Sequence, residues 1–356
     1  MILKKSKKKL KNFYYKPYDE KIIKHLKELK NFLFYPNVGN LGDVIIAQSE
    51  YQMLDSHNFN YRIHNAYIPD NQPDNDFNVV YGGGGLFVGY WNYEKVLSLF
   101  SSKHLKKAVI LPSSFRNCDD LMMVFDERFT VFCREKESYN YCVCENSRAK
   151  FYCADDMSFS LNININKTID FNKNWDEIKL NKTQSMFNNL FFFYKTVHNN
   201  IVDALRSKTE ILKTGYRLAY FLRTDKEKAI NFTNINSIDL SIFANNTCTD
   251  KGVVALLSDL FIRSINTVDV IVTDRLHIGI VGAILGKKIL FFDNVYGKIS
   301  GVYNMSMKEM KNVDFLTDIK QLHTHDFLKY NKQSTNFLYK RIFFLDFYKI
   351  YKKYVE

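Results

Sequence analysis

Residues Val268–Tyr303 read VDVIVTDRLHIGIVGAILGKKILFFDNVYGKISGVY. The run Val270–Val272 is apolar and ends in Thr273-Asp274, the pattern of a short buried parallel strand. Leu276–Leu285 sets Ala and Leu among small residues and stops at Gly286, which suits a helix C-terminus. Lys288–Phe292 is a second apolar run, and it leads into Asp293-Asn294-Val295-Tyr296-Gly297-Lys298. Strand, helix and strand in this order form an α/β unit with polar residues at both strand C-termini. Open α/β sheets bind ligands at that edge. Asp274, Arg275 and His277 stand where the first strand becomes a helix, and Asp293, Tyr296 and Lys298 end the second. Arg275 can fork onto a phosphate or carboxylate, Lys298 adds a point charge, and His277 can carry a proton. An internal Arg275–Asp274 ion pair would account for TDRLH by itself. It leaves the second cluster, one strand later, without a reason.

The same arrangement recurs upstream. The strand Phe32–Tyr35 is followed by Pro36-Asn37-Val38-Gly39-Asn40-Leu41-Gly42-Asp43 and then by a helix over Ile45–Leu54. Strand, glycine turn and helix is a phosphate-cradling topology, although the turn is neither GxGxxG nor a P-loop. Val79–Tyr81 is a strand ending in Gly82–Gly85, where bare backbone lets a ligand approach and N–H groups can bind an anion. Ala108–Leu111, Val131–Arg134 and Phe151–Cys153 read as further strands, with helices over Tyr18–Leu29 and Tyr93–Phe100. Asn162–Asn174 reads as an exposed loop or linker, and Phe187–Leu212 as a helix. Leu218–Leu222 is a strand closing on Arg223, a second phosphate clamp. Helices are expected over Gly252–Ile265, Phe315–His325 and Thr335–Tyr354. The strands ending at Tyr35, Tyr81 and Leu111 should share one parallel sheet, and those ending near Leu222, Thr273 and Phe292 a second. The cleft between the sheets should face both Gly42 and Arg275.

These motifs together resemble the polysaccharide pyruvyl transferase family. The likeness rests on Gly39, Asn40, Gly42 and Asp43; on the four-glycine turn with Gly83 and Gly84; on Arg134-Glu135-x-x-Ser138; on Arg223-x-Asp225-x-Glu227; and on TDRLH followed by DNVYGK. It spans Tyr35–Tyr303. Two positions depart from it: Asp155 stands where the family has a proline before an aspartate, and Ile278 where a small residue is usual. The resemblance implies two Rossmann-like α/β domains in a glycosyltransferase-B-like arrangement, followed by a C-terminal helical tail. Residues 1–165 would form the acceptor side, 183–330 the phosphoenolpyruvate side and 331–356 the helix. It implies transfer of the enolpyruvyl unit of phosphoenolpyruvate onto a sugar as a ketal. His277 would then be the acid. Asp43, Asp274 and Asp293 are the candidates for activating a sugar hydroxyl. Arg223, Arg275 and Lys298 would grip the anion, with Asn294, Tyr296, Gly39, Asn40, Gly42, Gly83 and Gly84 as further substrate contacts. No cofactor and no metal are expected. The same residues could serve a nucleotide-sugar glycosyltransferase, yet no ribose-binding carboxylate or E-x7-E-like pattern is visible. A non-catalytic glycan-binding protein would leave His277 and the strand-end aspartates without a role.

Composition sets the outer limits. The chain has 356 residues, 46% of them hydrophobic and 25% charged, as in globular proteins of two domains. The net charge of +12 points to an anionic partner, although the abundance of Lys, Asn, Ile, Tyr and Phe is also what an AT-biased genome produces. No nucleic-acid-binding motif accompanies the charge, and none is expected to matter. The six cysteines form no CxxC pair and fit a reduced, cytoplasmic setting. Met1-Ile2-Leu3 runs into a lysine-rich arm, Lys4–Lys11, without the apolar core of a signal peptide. In the tail, Phe337, Leu338, Ile342, Phe343, Phe344 and Phe347 alternate with Lys340, Arg341, Lys349, Lys352 and Lys353. Such a basic aromatic helix either lies on an anionic membrane, peripheral on its inner face and close to a lipid-linked glycan acceptor, or packs back across the domains.

Overall fold

The computed structural model describes residues 15–37, 39–64, 75–163, 184–212, 215–232, 235–244 and 249–324. The basic arm Lys4–Lys11, most of the expected linker and the helix expected over Thr335–Tyr354 lie outside the described residues. The fold is mixed α/β, built on two sheets. The first contains β1 (Asn31–Tyr35), β2 (Asn60–Ile63), β3 (Phe77–Tyr81), β4 (Gly84–Phe87), β5 (Leu105–Phe115), β6 (Phe129–Cys133) and β7 (Lys150–Cys153). Its order is β2-β1-β3-β5-β6-β7, all parallel, with β4 also paired to β5. The second contains β8 (Glu210–Ile211), β9 (Arg217–Phe221), β10 (Ser237–Ile238), β11 (Val270–Thr273), β12 (Lys288–Phe291) and β13 (Val313–Phe315). Its order is β10-β9-β11-β12-β13, parallel throughout, with β8 antiparallel on β9. Strands such as β6 and β11 are buried at every residue, as continuous apolar runs in a covered parallel sheet should be.

In each sheet the chain steps from one strand to its neighbour on one side and returns on the other. β1 leads to β2 and then to β3; β9 leads to β10 and then to β11. That reversal opens a crevice at the carboxyl ends of β1 and β3, and another at those of β9 and β11. Two helices carry the crevices toward each other. Helix α2 (Leu41–Ser56) follows β1 and opens with a capping box, in which Gly42 N–H donates to Asn40 Oδ1 at 2.7 Å and Asn40 N–H to Asp43 Oδ2 at 2.9 Å. The helix that follows β11, Leu276–Ile284, starts directly after Arg275. Between the sheets, Ile45 and Leu54 of α2 join Leu257, Phe261, Ile280 and Phe291 from the second half in one continuous apolar core.

The strands expected to end at Tyr35, Tyr81 and Thr273 do so, and the two groups fall in separate sheets. The end expected at Leu111 is overrun. β5 continues through Pro112 to Phe115 because Gly84–Phe87 supply a partner there, and a register shift between Ile110 and Ser113 absorbs the proline. Only Gly82 and Gly83 are therefore turn; Gly84 and Gly85 are strand. The helix expected over Phe315–His325 starts at Ile319, since Val313–Phe315 pair with β12. Among the described residues no helix is long and apolar enough to cross a membrane.

The helix Leu276–Ile284 lies tightly on its sheet. A Cβ at Gly279 would fall 1.8 Å from Phe291 Cζ. Gly279→Ala should therefore destabilise the protein by about 1–3 kcal/mol through overpacking. The check is the urea midpoint at constant slope; an unchanged midpoint would mean that the helix can lift off the sheet without cost.

Candidate functional site

The two crevices meet across one cavity of about 490 Å³. Its walls include Asn37, Gly39, Asn40 and Asp43 from the first crevice and Arg223, Asp225, Arg275, Leu276 and His277 from the second. Gly85, Leu86, Trp91, Asn92, Arg134, Glu227, Ser241, Ile242, Ala244 and Lys298 complete the lining. The contact that joins the halves is short: a Cβ on Gly42 would lie 2.6 Å from His277 Nδ1. Only glycine at that position lets the imidazole stand over the first turn of α2.

His277 faces Asp156 from its other nitrogen, with Nε2 3.5 Å from Oδ2. Asp156 is fully buried and also accepts a hydrogen bond from Arg134 at 2.8 Å and one from Ser158 N–H at 2.9 Å. Burial would raise its carboxyl, but His277 and Arg134 outweigh burial and hold it well below the usual carboxylate range. Arg134 is itself buried and fixed by Ser114 Oγ at 2.9 Å, and its second amino group points toward Gly85 on the cavity wall. A helix, Lys136–Glu145, starts just beyond it.

Opposite lies a carboxylate hub. Glu227 accepts from Arg223, from Lys298 Nζ at 3.0 Å, from Asn294 Nδ2 at 3.2 Å, from Tyr296 Oη at 3.3 Å and from Trp91 Nε1 at 3.2 Å. Burial pushes this carboxyl up, yet Lys298 and Arg223 drive it far down, so Glu227 stays ionised. Arg275 forks onto Asp239, Nε to Oδ1 at 3.0 Å and an amino group to Oδ2, and also meets Asp225 at 2.8 Å. Its ion-pair partners are thus Asp239 and Asp225 and not Asp274. One buried nitrogen of a cavity-lining residue, Arg223 Nε, has no hydrogen-bond partner among the described residues, and buried donors are rarely left so. His277 Nε2, equally buried, makes no hydrogen bond within normal range but faces Asp156.

The expected site residues are only partly brought together on the cavity wall. Asp43, His277, Arg223, Arg275, Lys298, Gly39 and Asn40 line the cavity. Asn294 and Tyr296 stand behind it as donors to Glu227. Asp274 and Asp293 are not on the wall. Asp274 lies beneath it, accepting Arg223 N–H at 2.7 Å, and Asp293 caps the short helix Lys298–Val302 through Ile299 and Ser300 N–H at 3.1 and 3.2 Å. Two of the glycine N–H groups expected to hold an anion are already used. Gly42 donates to Asn40, and Gly83 donates to the buried Glu50 at 2.6 Å. Burial raises the Glu50 carboxyl well above its ordinary value, opposed by that bond and reinforced by nearby Asp156 and Asp43. Burial likewise raises Asp43, against His277 and Lys298.

Asp156, Glu227, Asp239, Glu50 and Trp91 were missed as site residues by reading motifs strand by strand. Asp156 and Glu227 sit inside family-like motifs, which was the available signal; Trp91 and Glu50 carried none. Among the described residues no group of three or more His, Cys, Asp or Glu side chains is placed to hold a metal ion.

The family model described as polysaccharide pyruvyl transferase matches residues 40–294. No curated protein sequence matches the chain. Three chains of solved structures match it. One is an uncharacterized protein of Klebsiella pneumoniae, 23% identical, with a TM-score of 0.61 over 84% of this chain and 97% of that one. At that identity the likeness concerns the fold alone.

Asp274 provides a pH test of the local electrostatics. Burial raises its carboxyl from 3.8 to about 6, against the Arg223 N–H and the Arg223 and Arg275 charges. The fold thus favours the neutral acid. This stabilisation is complete below about pH 4 and is lost as pH rises through 6, by about 3 kcal/mol. Thermal midpoints of wild type and Asp274→Asn should therefore diverge between pH 4 and 7, the variant lacking this part of the decline. Parallel profiles would contradict the assignment.

Proposed function

The chain belongs to the polysaccharide pyruvyl transferase family, whose model covers 255 residues of it, and we propose that it transfers the enolpyruvyl unit of phosphoenolpyruvate onto two hydroxyls of a glycan sugar. The observation that carries this reading is that Arg223, Lys298, Arg134 and His277 line one cavity, with Arg223 Nε buried and without a hydrogen-bond partner among the described residues. A small dianion that also needs a proton at carbon fits that combination. In this reading Arg223 and Lys298 take the phosphate and carboxylate, and Arg275 adds charge from behind its contact with Asp239. His277 delivers a proton to C3, turning the methylene into a methyl group and leaving C2 with oxocarbenium character. One sugar hydroxyl adds to C2 and the C2–O bond to phosphate breaks; the second hydroxyl then closes the ketal. The two hydroxyl protons are balanced by the one gained at C3 and the one carried away by phosphate.

Asp156, kept ionised, orients the imidazole, since a carboxylate partner fixes which nitrogen bears a proton. Asp43, the one lining carboxyl among the three considered as base, is assigned to the sugar hydroxyl, and burial raises its affinity for a proton. The two-sheet build supports a glycosyltransferase-B-like division, with the acceptor on the side of residues 1–165 and the donor on that of 183–330. A lipid-linked acceptor met through the basic, aromatic-rich C-terminal segment belongs to the same proposal.

Steady-state kinetics with phosphoenolpyruvate and a glycan acceptor test it. Arg223→Lys keeps the charge and loses the fork, so the donor KM should rise with kcat less affected. His277→Ala should lower kcat by about 100-fold or more with little change in KM. A His277→Ala enzyme that turns over normally would remove the histidine from the mechanism.

A further inference from the structure

Phosphoenolpyruvate is small, and a cavity of about 490 Å³ has room for a second, larger ligand. The lining is uneven. Arg134, Arg223, Lys298, His277 and Asp43 gather its charge, whereas Leu86, Trp91, Asn92 and Ile242 form a wall with little charge. Trp91 is unusual there. It is 41% exposed, although its Nε1 is anchored to Glu227 Oε1 at 3.2 Å and the Lys226 ammonium lies 4.6 Å from a ring centroid. Lys226 also donates to the carbonyl of Tyr90, so the loop that carries the tryptophan is tied to the second half at two points. An indole held by its edge and by a cation, with two fifths of its surface still open on a cavity wall, is an immobilised aromatic platform. A fixed aromatic face lining a cavity suits a ligand with an apolar face. A hexopyranose has one, the side of the ring where axial C–H groups gather, and its hydroxyls would find Asn92 next to the indole and Asp43 on the charged part of the same cavity.

We infer that Trp91 is the platform on which the acceptor sugar ring stacks, presenting its hydroxyls to the donor held at Arg223 and Lys298. This rests on the pyruvyl-transfer reading above and names the residue that sets acceptor affinity. The platform contributes area; the Nε1–H bond to Glu227 contributes only position. Phenylalanine and alanine at 91 therefore separate the two contributions.

The test measures binding of phosphoenolpyruvate by calorimetry, and of methyl hexopyranosides by saturation-transfer NMR, to wild type, Trp91→Phe and Trp91→Ala. Sugar ring C–H signals should be saturated in wild type. Affinity for the sugar should fall about tenfold in Trp91→Ala and be largely kept in Trp91→Phe. Phosphoenolpyruvate affinity should be unchanged in both variants. Failure of every hexopyranoside to bind wild type would overturn the inference. So would a loss in Trp91→Phe as large as in Trp91→Ala, which would make Trp91 a positioning residue for Glu227. Wild type that binds the sugars in this manner but not phosphoenolpyruvate would instead overturn the donor assignment and leave the platform standing.

Discussion

The two halves of the cavity meet at one close approach, that of the His277 imidazole to the first turn of α2 at Gly42. Any side chain there would push the two helix starts apart. The crevice between β1 and β3 would then no longer share a cavity with the crevice between β9 and β11. The approach is held on the apolar side by α2 packing into the core of the second half, and on the polar side by Asp156, which ties His277 to Arg134. Two sheets that could each bind a ligand separately are thus committed to one site.

The buried charges follow the same logic. Glu227 gathers Arg223 and Lys298, Asp239 forks onto Arg275, and Asp156 holds Arg134. Buried ion pairs of this kind seldom add stability, because desolvation offsets the attraction. Their value lies in fixing cations at set positions before a ligand arrives, which removes reorganisation from the reaction itself. Glu227 also accepts from Trp91, so one carboxylate positions Arg223, Lys298 and the indole together. The tension stored in Asp274 and Glu50, carboxyls whose burial favours the neutral form, sits beneath the same walls.

The fold was legible in the sequence because parallel strands buried on both faces appear as short apolar runs punctuated by polar or glycine turns. Val270–Thr273 and Val79–Tyr81 could be read with almost no loss. Less legible were elements whose pattern is weak. β2 is partly exposed along its length, and β5 runs through a proline that usually ends a strand. The site was half legible. His277, Arg223, Asp43 and Lys298 follow strand ends and line the cavity as expected. Which carboxylate faces the cavity was not readable, because Asp43, Asp274 and Asp293 all follow strands and differ only in the backbone N–H groups they meet. Arg275 had a fork to offer, but its partner, Asp239, lies 36 residues away in a segment without periodicity. Trp91 could not be found from its own neighbourhood, since its meaning comes from its bond to Glu227.

The central claim, that the two crevices form one phosphoenolpyruvate site, is tested most directly by a crystal structure of the protein soaked with phosphoenolpyruvate. The phosphate and carboxylate should lie on Arg223 and Lys298, with C3 within reach of the His277 imidazole. Phosphoenolpyruvate bound elsewhere, or a cavity that stays empty at concentrations that support turnover, would contradict it.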